Sequence, residues 1–146
     1  KWQIRVAASI PLSGFEDLSL SGHAIECRIN AESPLNGFRP SSGRINNIHI
    51  PGGAWVRFDT AVYQGSVISP FYDSMIGKLI VHAKTREEAI RKMRTSLCEL
   101  SIEGVENNIE LQLDILADPM FICGEYTTDF IESSGILSRK DKVIQC

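Results

Sequence analysis

Apolar and polar residues alternate from Gly22 onward, with Ile25, Cys27, Ile29 and Ala31 pointing one way and Glu26, Arg28 and Asn30 the other. A period of two predicts a strand with one face packed and one face turned outward. A loop follows from Ser33 to Ser42, carrying Pro34, Gly37 and Pro40, then a second strand over Arg44 to Ile50 that ends at Pro51-Gly52-Gly53. A third strand is predicted from Trp55 to about Tyr63, and Met75 to Ala83 is apolar enough for a strand covered on both faces. The period then changes. Thr85-Arg86-Glu87-Glu88 has the spacing of a capping box, and Ile90, Met93, Leu97 and Leu100 fall on one stripe of a helix that Gly104 is placed to stop. Asn108 is placed to cap a second helix, Ile109 to Ala117, closed by Asp118-Pro119. Thr127 or Thr128 is placed to cap a third, short one through about Ser133.

Strands first and helices later predict an α+β fold, a mainly antiparallel sheet with packed C-terminal helices. In front of it, Lys1 to Ala8 reads as the tail of a helix, since Ile4 and Ala8 lie one turn apart before Ser-Ile-Pro-Leu-Ser-Gly punctuation. The expected division is residues 1–20 as helix end and linker, 21–138 as the domain, and 139–146 as a tail without periodicity that should fray. A chain that opens inside a helix and without Met reads as a segment of a longer protein.

Composition narrows the function by exclusion. With 146 residues and 43% apolar content, one core is expected, burying roughly two-thirds of the unfolded chain's surface without needing metal or disulfide. Eighteen acidic against 15 basic groups, a net charge of -3, give no counterion-release drive toward nucleic acid. No apolar run approaches the roughly 20 residues that span a bilayer, and there is no signal-peptide stretch, so a cytoplasmic protein without membrane contact is expected. Cys27, Cys98, Cys123 and Cys146 are far apart with no C-x-x-C pair, which argues for reduced thiols and against a metal site. His23, His49 and His82 read as sheet or strand-end histidines.

The outward face of the first strand holds the candidate chemistry. Glu26, Arg28 and Asn30 share it, successive Cα atoms being about 6.5 to 7 Å apart. An arginine between a carboxylate and a carboxamide is pre-oriented, and its planar fork can then meet an oxyanion in bidentate fashion. An exposed strand face has the same pattern, and spacing alone does not choose between the two. Lys78, in a strand otherwise read as buried, fits a packed stem with its ammonium on a partner or in water.

The run Gly22-His23-Ala24-Ile25-Glu26-Cys27-Arg28-Ile29-Asn30-Ala31-Glu32 closely resembles a signature of the biotin carboxylase family. Phe38-Arg39-Pro40-Ser41-Ser42-Gly43 resembles its F-x-P-S-x-G, Pro51-Gly52-Gly53 with Val56-Arg57 its P-G-G-x-x-V-R, and Tyr72-Asp73-Ser74-Met75-Ile76-Gly77-Lys78-Leu79 its Y-D-S-M-I-G-K-L. The resemblance spans about residues 1 to 135 and points to the C-terminal domain of such an enzyme.

It implies a parent that uses ATP, Mg2+ and bicarbonate to carboxylate N1′ of biotin on a biotin carboxyl carrier protein, in company with a carboxyltransferase, as in acetyl-CoA carboxylase. The resemblance implies that the ATP and magnesium ligands belong to a preceding ATP-grasp domain, which with an N-terminal domain is this segment's partner in the same chain, so the segment alone is expected to be inactive. It implies that Arg28, the arginine of E-C-R-x-N, reaches the shared biotin and bicarbonate site. Glu26, Asn30 and Asp73 are then candidates for orienting it or its neighbourhood. Bacterial members are homodimers with the arginine of P-G-G-x-x-V-R near the two-fold axis, which makes Arg57 an interface candidate. Trp55 is a second, although Ala54-Trp55 stands where an aromatic followed by glycine is common in bacterial members. The rival reading is a dimerisation or docking domain of the same carboxylase, with Arg28 only bracing the sheet.

Overall fold

The alternation after Gly22 forms β1 (His23–Asn30) in the computed structural model, which describes residues 1–13 and 19–138. The expected fraying of 139–146 falls outside the described residues. β1 lies at one edge of a three-stranded antiparallel sheet whose middle strand is β8 (Met75–Ala83) and whose other edge is β6 (Val56–Thr60). Register pairs Ile25 with Val81, Cys27 with Leu79 and Arg28 with Lys78, and on the far side Phe58 with Leu79 and Asp59 with Lys78. Because side chains alternate, this register puts Ile25, Cys27, Leu79, Val81 and Phe58 on one face and the charged residues on the other.

β8 departs from the expectation of a strand covered on both faces. Leu79, Val81 and Ala83 are buried, while Lys78, Ile80 and His82 between them are only half-buried. Its apolar character reflects its central place in the sheet, with Ile76 buried at an irregularity where Asn30 pairs with Met75 instead. The helix α2 (Arg86–Glu99) covers the apolar face through Ile90, Met93 and Leu97, with Leu100 buried just past its end. Thr85 accepts from the Glu88 N–H at 3.2 Å as the capping-box spacing requires, but the Glu88 carboxylate reaches past Thr85 to the N–H of Lys84.

The predicted strand Arg44–Ile50 is two strands. β4 (Gly43–Arg44) pairs with β7 (Val67–Ile68), and β5 (Asn47–His49) pairs with β9 (Ser101–Glu103). The switch falls at Ile45, which is fully buried and donates to Ser66, whereas Asn46 donates to Glu103. Inside the predicted loop, β2 (Glu32–Ser33) and β3 (Arg39–Pro40) pair with each other. Gly104 does not stop α2, which ends five residues earlier; it turns the chain after β9 with φ +107°.

Three short helices follow: α3 (Ile109–Ala117), α4 (Pro119–Cys123), where the Asp118 carboxylate accepts from the Met120 N–H, and α5 (Phe130–Ser133). Asp129 holds the cap position of α5, in place of Thr127 or Thr128; Thr127 donates to its carboxylate. The leading helix is α1 (Trp2–Ala7), none of whose residues is buried. Leu111, Phe130 and Ile136 form a small second apolar cluster beside the main core. Free thiols are found at Cys27, which is buried, and at Cys123, which is exposed.

A side chain at Gly104 meets two obstacles, a backbone angle that L-residues avoid and a Cβ that would sit 2.0 Å from the Arg44 carbonyl oxygen. Gly104→Ala is expected to lower unfolding free energy by about 2 kcal/mol or more, measured by urea titration. A variant within 0.5 kcal/mol of wild type, about the scatter of a neutral surface change, contradicts this account.

Candidate functional site

The outer face of the three-stranded sheet collects the polar residues in rows set by the register. One row runs Glu26, Ile80, Arg57 and the next runs Arg28, Lys78, Asp59. With strands about 4.8 Å apart, each row spans roughly 10 Å, so the arginines at 28 and 57, read separately from the sequence, stand on one surface. Arg28 is exposed, and its guanidinium donates to the Met75 sulfur at 3.5 Å. No ion pair holds it among the described residues. Lys78 is its direct cross-strand partner. The Arg28 carbonyl accepts from α3, on the side away from β8, which makes this the close, non-hydrogen-bonded kind of pair. Two cations therefore stand side by side, and among the described residues no carboxylate forms an ion pair with either, an arrangement that suits an anion.

The other predicted residues take their places around Arg28. Glu26 is exposed one row away on the same face. Asn30 is half-buried; its side-chain amide donates to Glu32 at 3.3 Å, and its side-chain oxygen is buried without a hydrogen-bond partner. Asp73 is exposed and accepts from the Met75 N–H at 2.8 Å. It thereby fixes the residue whose sulfur receives Arg28. Arg57 pairs with Asp59 at 3.0 Å, both exposed, an interaction worth about 0 to 1 kcal/mol in water. Of Trp55 and Phe58, Phe58 packs on the core, while Trp55 stands outside β6, 72% exposed with φ +63°. The Trp55 ring leans on His82 at 5.5 Å between centroids.

Sequence reasoning missed the residues that hold the backbone of β1. Asn108, read as a helix cap, makes no cap bond; Asn107 accepts from the Ile109 N–H instead. The Asn108 side chain accepts from the Asn30 N–H at 2.9 Å and donates to the Arg28 carbonyl at 3.1 Å. Gln112, one turn on, donates to the same carbonyl at 3.4 Å. The doublet Asn107-Asn108 was the available signal, because one capping amide suffices. Glu32 was also missed: half-buried, it accepts from both Asn30 and Ser74 and ties the end of β1 to the start of β8.

Lys92 donates to the carbonyls of Ala54 and His82, and His82 bonds the Ser21 carbonyl, so the histidine is a sheet residue with structural partners. His23 lies 3.3 Å from Arg86, which also donates to Phe121 and Ile122. Among the described residues no group of three or more His, Cys, Asp or Glu side chains is placed to hold a metal, and no helix is long and apolar enough to cross a membrane.

Residues 26–133 match the family model described as Biotin carboxylase C-terminal domain. The chain is similar to Biotin carboxylase 1 of Bacillus subtilis, with 47% identity over 94% of this chain and 31% of that protein. It is also similar in structure to the biotin carboxylase domain dimer of Hydrogenobacter thermophilus 2-oxoglutarate carboxylase in complex with MgADP, ADP and bicarbonate. There the TM-score is 0.89 at 42% identity, over 96% of this chain and 31% of that one. The biotin carboxylase subunit of a pyruvate carboxylase gives a TM-score of 0.91 at 40% identity, over 97% and 32%. The chain thus spans under a third of the length of these relatives.

Behind the charged face, burial and to a lesser degree the Glu26 carboxylate push the Cys27 thiol from 9.0 up to about 12. A raised acid pKa means that the folded state keeps a proton the unfolded state loses. Its stabilising effect is complete below pH 9 and is lost as pH rises through 12, at about 1.4 kcal/mol per pH unit in between. Alkaline unfolding of Cys27→Ala is expected to show a shallower loss across that window. At pH 8 a thiol reagent should label exposed Cys123 and spare Cys27 until the chain is denatured; rapid native labelling of Cys27 counts against its burial.

Proposed function

The chain belongs to the biotin carboxylase C-terminal domain family, and on that footing we propose that it is the part of an ATP-dependent biotin carboxylase that presents Arg28 to the biotin and bicarbonate side of a shared active site. The observation that carries this reading is Arg28 itself. It is an exposed guanidinium on a sheet strand, beside a second cation and, among the described residues, without a carboxylate paired to it. Removing the N1′ proton of biotin drives negative charge onto the ureido oxygen. A fixed guanidinium at that oxygen stabilises the charged state with little reorganisation, and losing one such donor costs on the order of 3 kcal/mol. Glu26, Asn30 and Asp73 serve as supports around Arg28, Asp73 through Met75.

The guanidinium of Arg28 beside Lys78 suits the anionic biotin and bicarbonate side of the reaction. ATP and Mg2+ are held by the ATP-grasp domain of the parent, which also carries an N-terminal domain and acts in the cytoplasm. Its partners are a biotin carboxyl carrier protein and a carboxyltransferase, with acetyl-CoA carboxylase as one host. The parent is a homodimer, which the dimer of the Hydrogenobacter relative supports; Arg57 and exposed Trp55 are the residues assigned to the contact. Residues 21–138 are the domain and 1–20 its entry. The alternative of a dimerisation or docking domain, with Arg28 only bracing the sheet, is disfavoured by the exposed guanidinium.

In the full-length parent, Arg28→Ala is expected to remain folded and dimeric and to lose biotin-dependent ADP release by on the order of a hundredfold or more. Slow biotin-independent hydrolysis should persist. Unchanged biotin dependence in a folded dimer overturns the assignment. The isolated segment is expected to release no ADP. Arg57→Glu should weaken the dimer at least about tenfold in sedimentation velocity, the size of effect typical of an interface arginine, and an unaltered dimer removes Arg57 from the contact.

A further inference from the structure

An edge strand leaves every second N–H and C=O without a neighbour. β1 is such an edge, and the unpaired groups at the site are those of Arg28 and Asn30. Asn108 meets them as a strand would: its backbone N–H donates to the Asn30 carbonyl at 3.2 Å, its side-chain oxygen accepts from the Asn30 N–H at 2.9 Å, and its side-chain nitrogen donates to the Arg28 carbonyl at 3.1 Å. Only one orientation of the amide satisfies both side-chain bonds. The side chain is committed to this task, being 6% exposed and leaving the cap of α3 to Asn107. The grip falls where β1 loses regular pairing with β8, the register slipping between Ile29 and Asn30. At such a slip the sheet ladder by itself sets the strand's direction least firmly.

We propose that Asn108 is a positioning residue for Arg28, clamping the backbone of β1 so that the guanidinium stands at a fixed height over the sheet, with Gln112 as a second, weaker hold on the same carbonyl. Nothing in Asn108 touches substrate; it acts through Arg28, and the proposal rests on the reading of Arg28 given above. A loosened strand displaces the guanidinium from the charge it stabilises, and a misplacement near 1 Å can cost on the order of a hundredfold in rate.

The test uses the full-length parent, with ADP release measured with and without free biotin for wild type, Arg28→Ala, Asn108→Ala and their double variant. Asn108→Ala is expected to reduce the biotin-dependent kcat by at least about tenfold, with the KM for ATP and the biotin-independent rate unchanged. The double variant should be no slower than Arg28→Ala alone, because the two act as a unit. A merely structural asparagine lowers both activities together, or multiplies the loss of Arg28→Ala; either result overturns the proposal. If Asn108→Ala does not fold, Asn108→Asp keeps the acceptor for Asn30 and loses the donor to Arg28. A folded Asn108→Asp enzyme with the full biotin-dependent rate also overturns the proposal. Should Arg28→Ala itself keep that rate, the reading of Arg28 fails; should Arg28→Ala be slow while the Asn108 variants are not, only the clamp fails.

Discussion

The antiparallel pairing of β1 with β8 fixes which side of every residue in the sheet meets water, and the core, the charged face and the candidate site all follow from it. Pairing Cys27 with Leu79 sends both into the apolar layer under α2, and the same register stands Arg28 against Lys78 outside. A slip of β1 by one residue against β8 would turn Arg28 into the apolar layer and Cys27 out of it. The register is protected by what lies beneath it, since Met93, Leu97 and Leu79 are almost wholly excluded from solvent. Gly77, on the middle strand, contributes on the side toward β6, where a Cβ would lie 2.7 Å from the Phe58 ring.

The edge of the sheet joins it to the helical layer. Backbone groups on β1 that a fourth strand would have paired are met by the first turn of α3 through Asn108 and Gln112. Buried backbone groups left unpaired are costly, so this contact serves folding and, in the same bonds, limits the motion of the strand that carries Arg28. Glu32, Ser74 and Asp73 do the equivalent at the turn into β8. An arginine can stand exposed and still be well placed, because its backbone is held from both sides.

Arrangement on one outer face links the two roles assigned to this domain. Arg57 and Asp59 on β6 are one strand away from Ile80 and Lys78, which in turn adjoin Glu26 and Arg28. The contact between copies proposed for the β6 side and the substrate proposed for the β1 side would thus share three strands of a single sheet. Trp55, exposed and resting on His82, extends that surface past the end of β6.

The strand His23–Asn30, the strand Met75–Ala83 and the helices from Arg86 and Ile109 were legible in the sequence, because a period of two or of 3.6 records locally which side of an element is buried. The chain's motifs likewise singled out Arg28 and Arg57 without any coordinates. Strands of two or three residues, such as β4, β5 and β9, hold too few positions to show a period, so the split of Arg44–Ile50 between two partners emerged only in the fold. The same limit hid the covered and uncovered sides of β8, whose half-buried residues are as apolar as buried ones where Ile80 stands. Periodicity reports that a face is covered and is silent about what covers it. Asn108 lies 80 residues from the carbonyl it holds, and a bond across that separation depends on the path of the whole chain, which no local pattern contains.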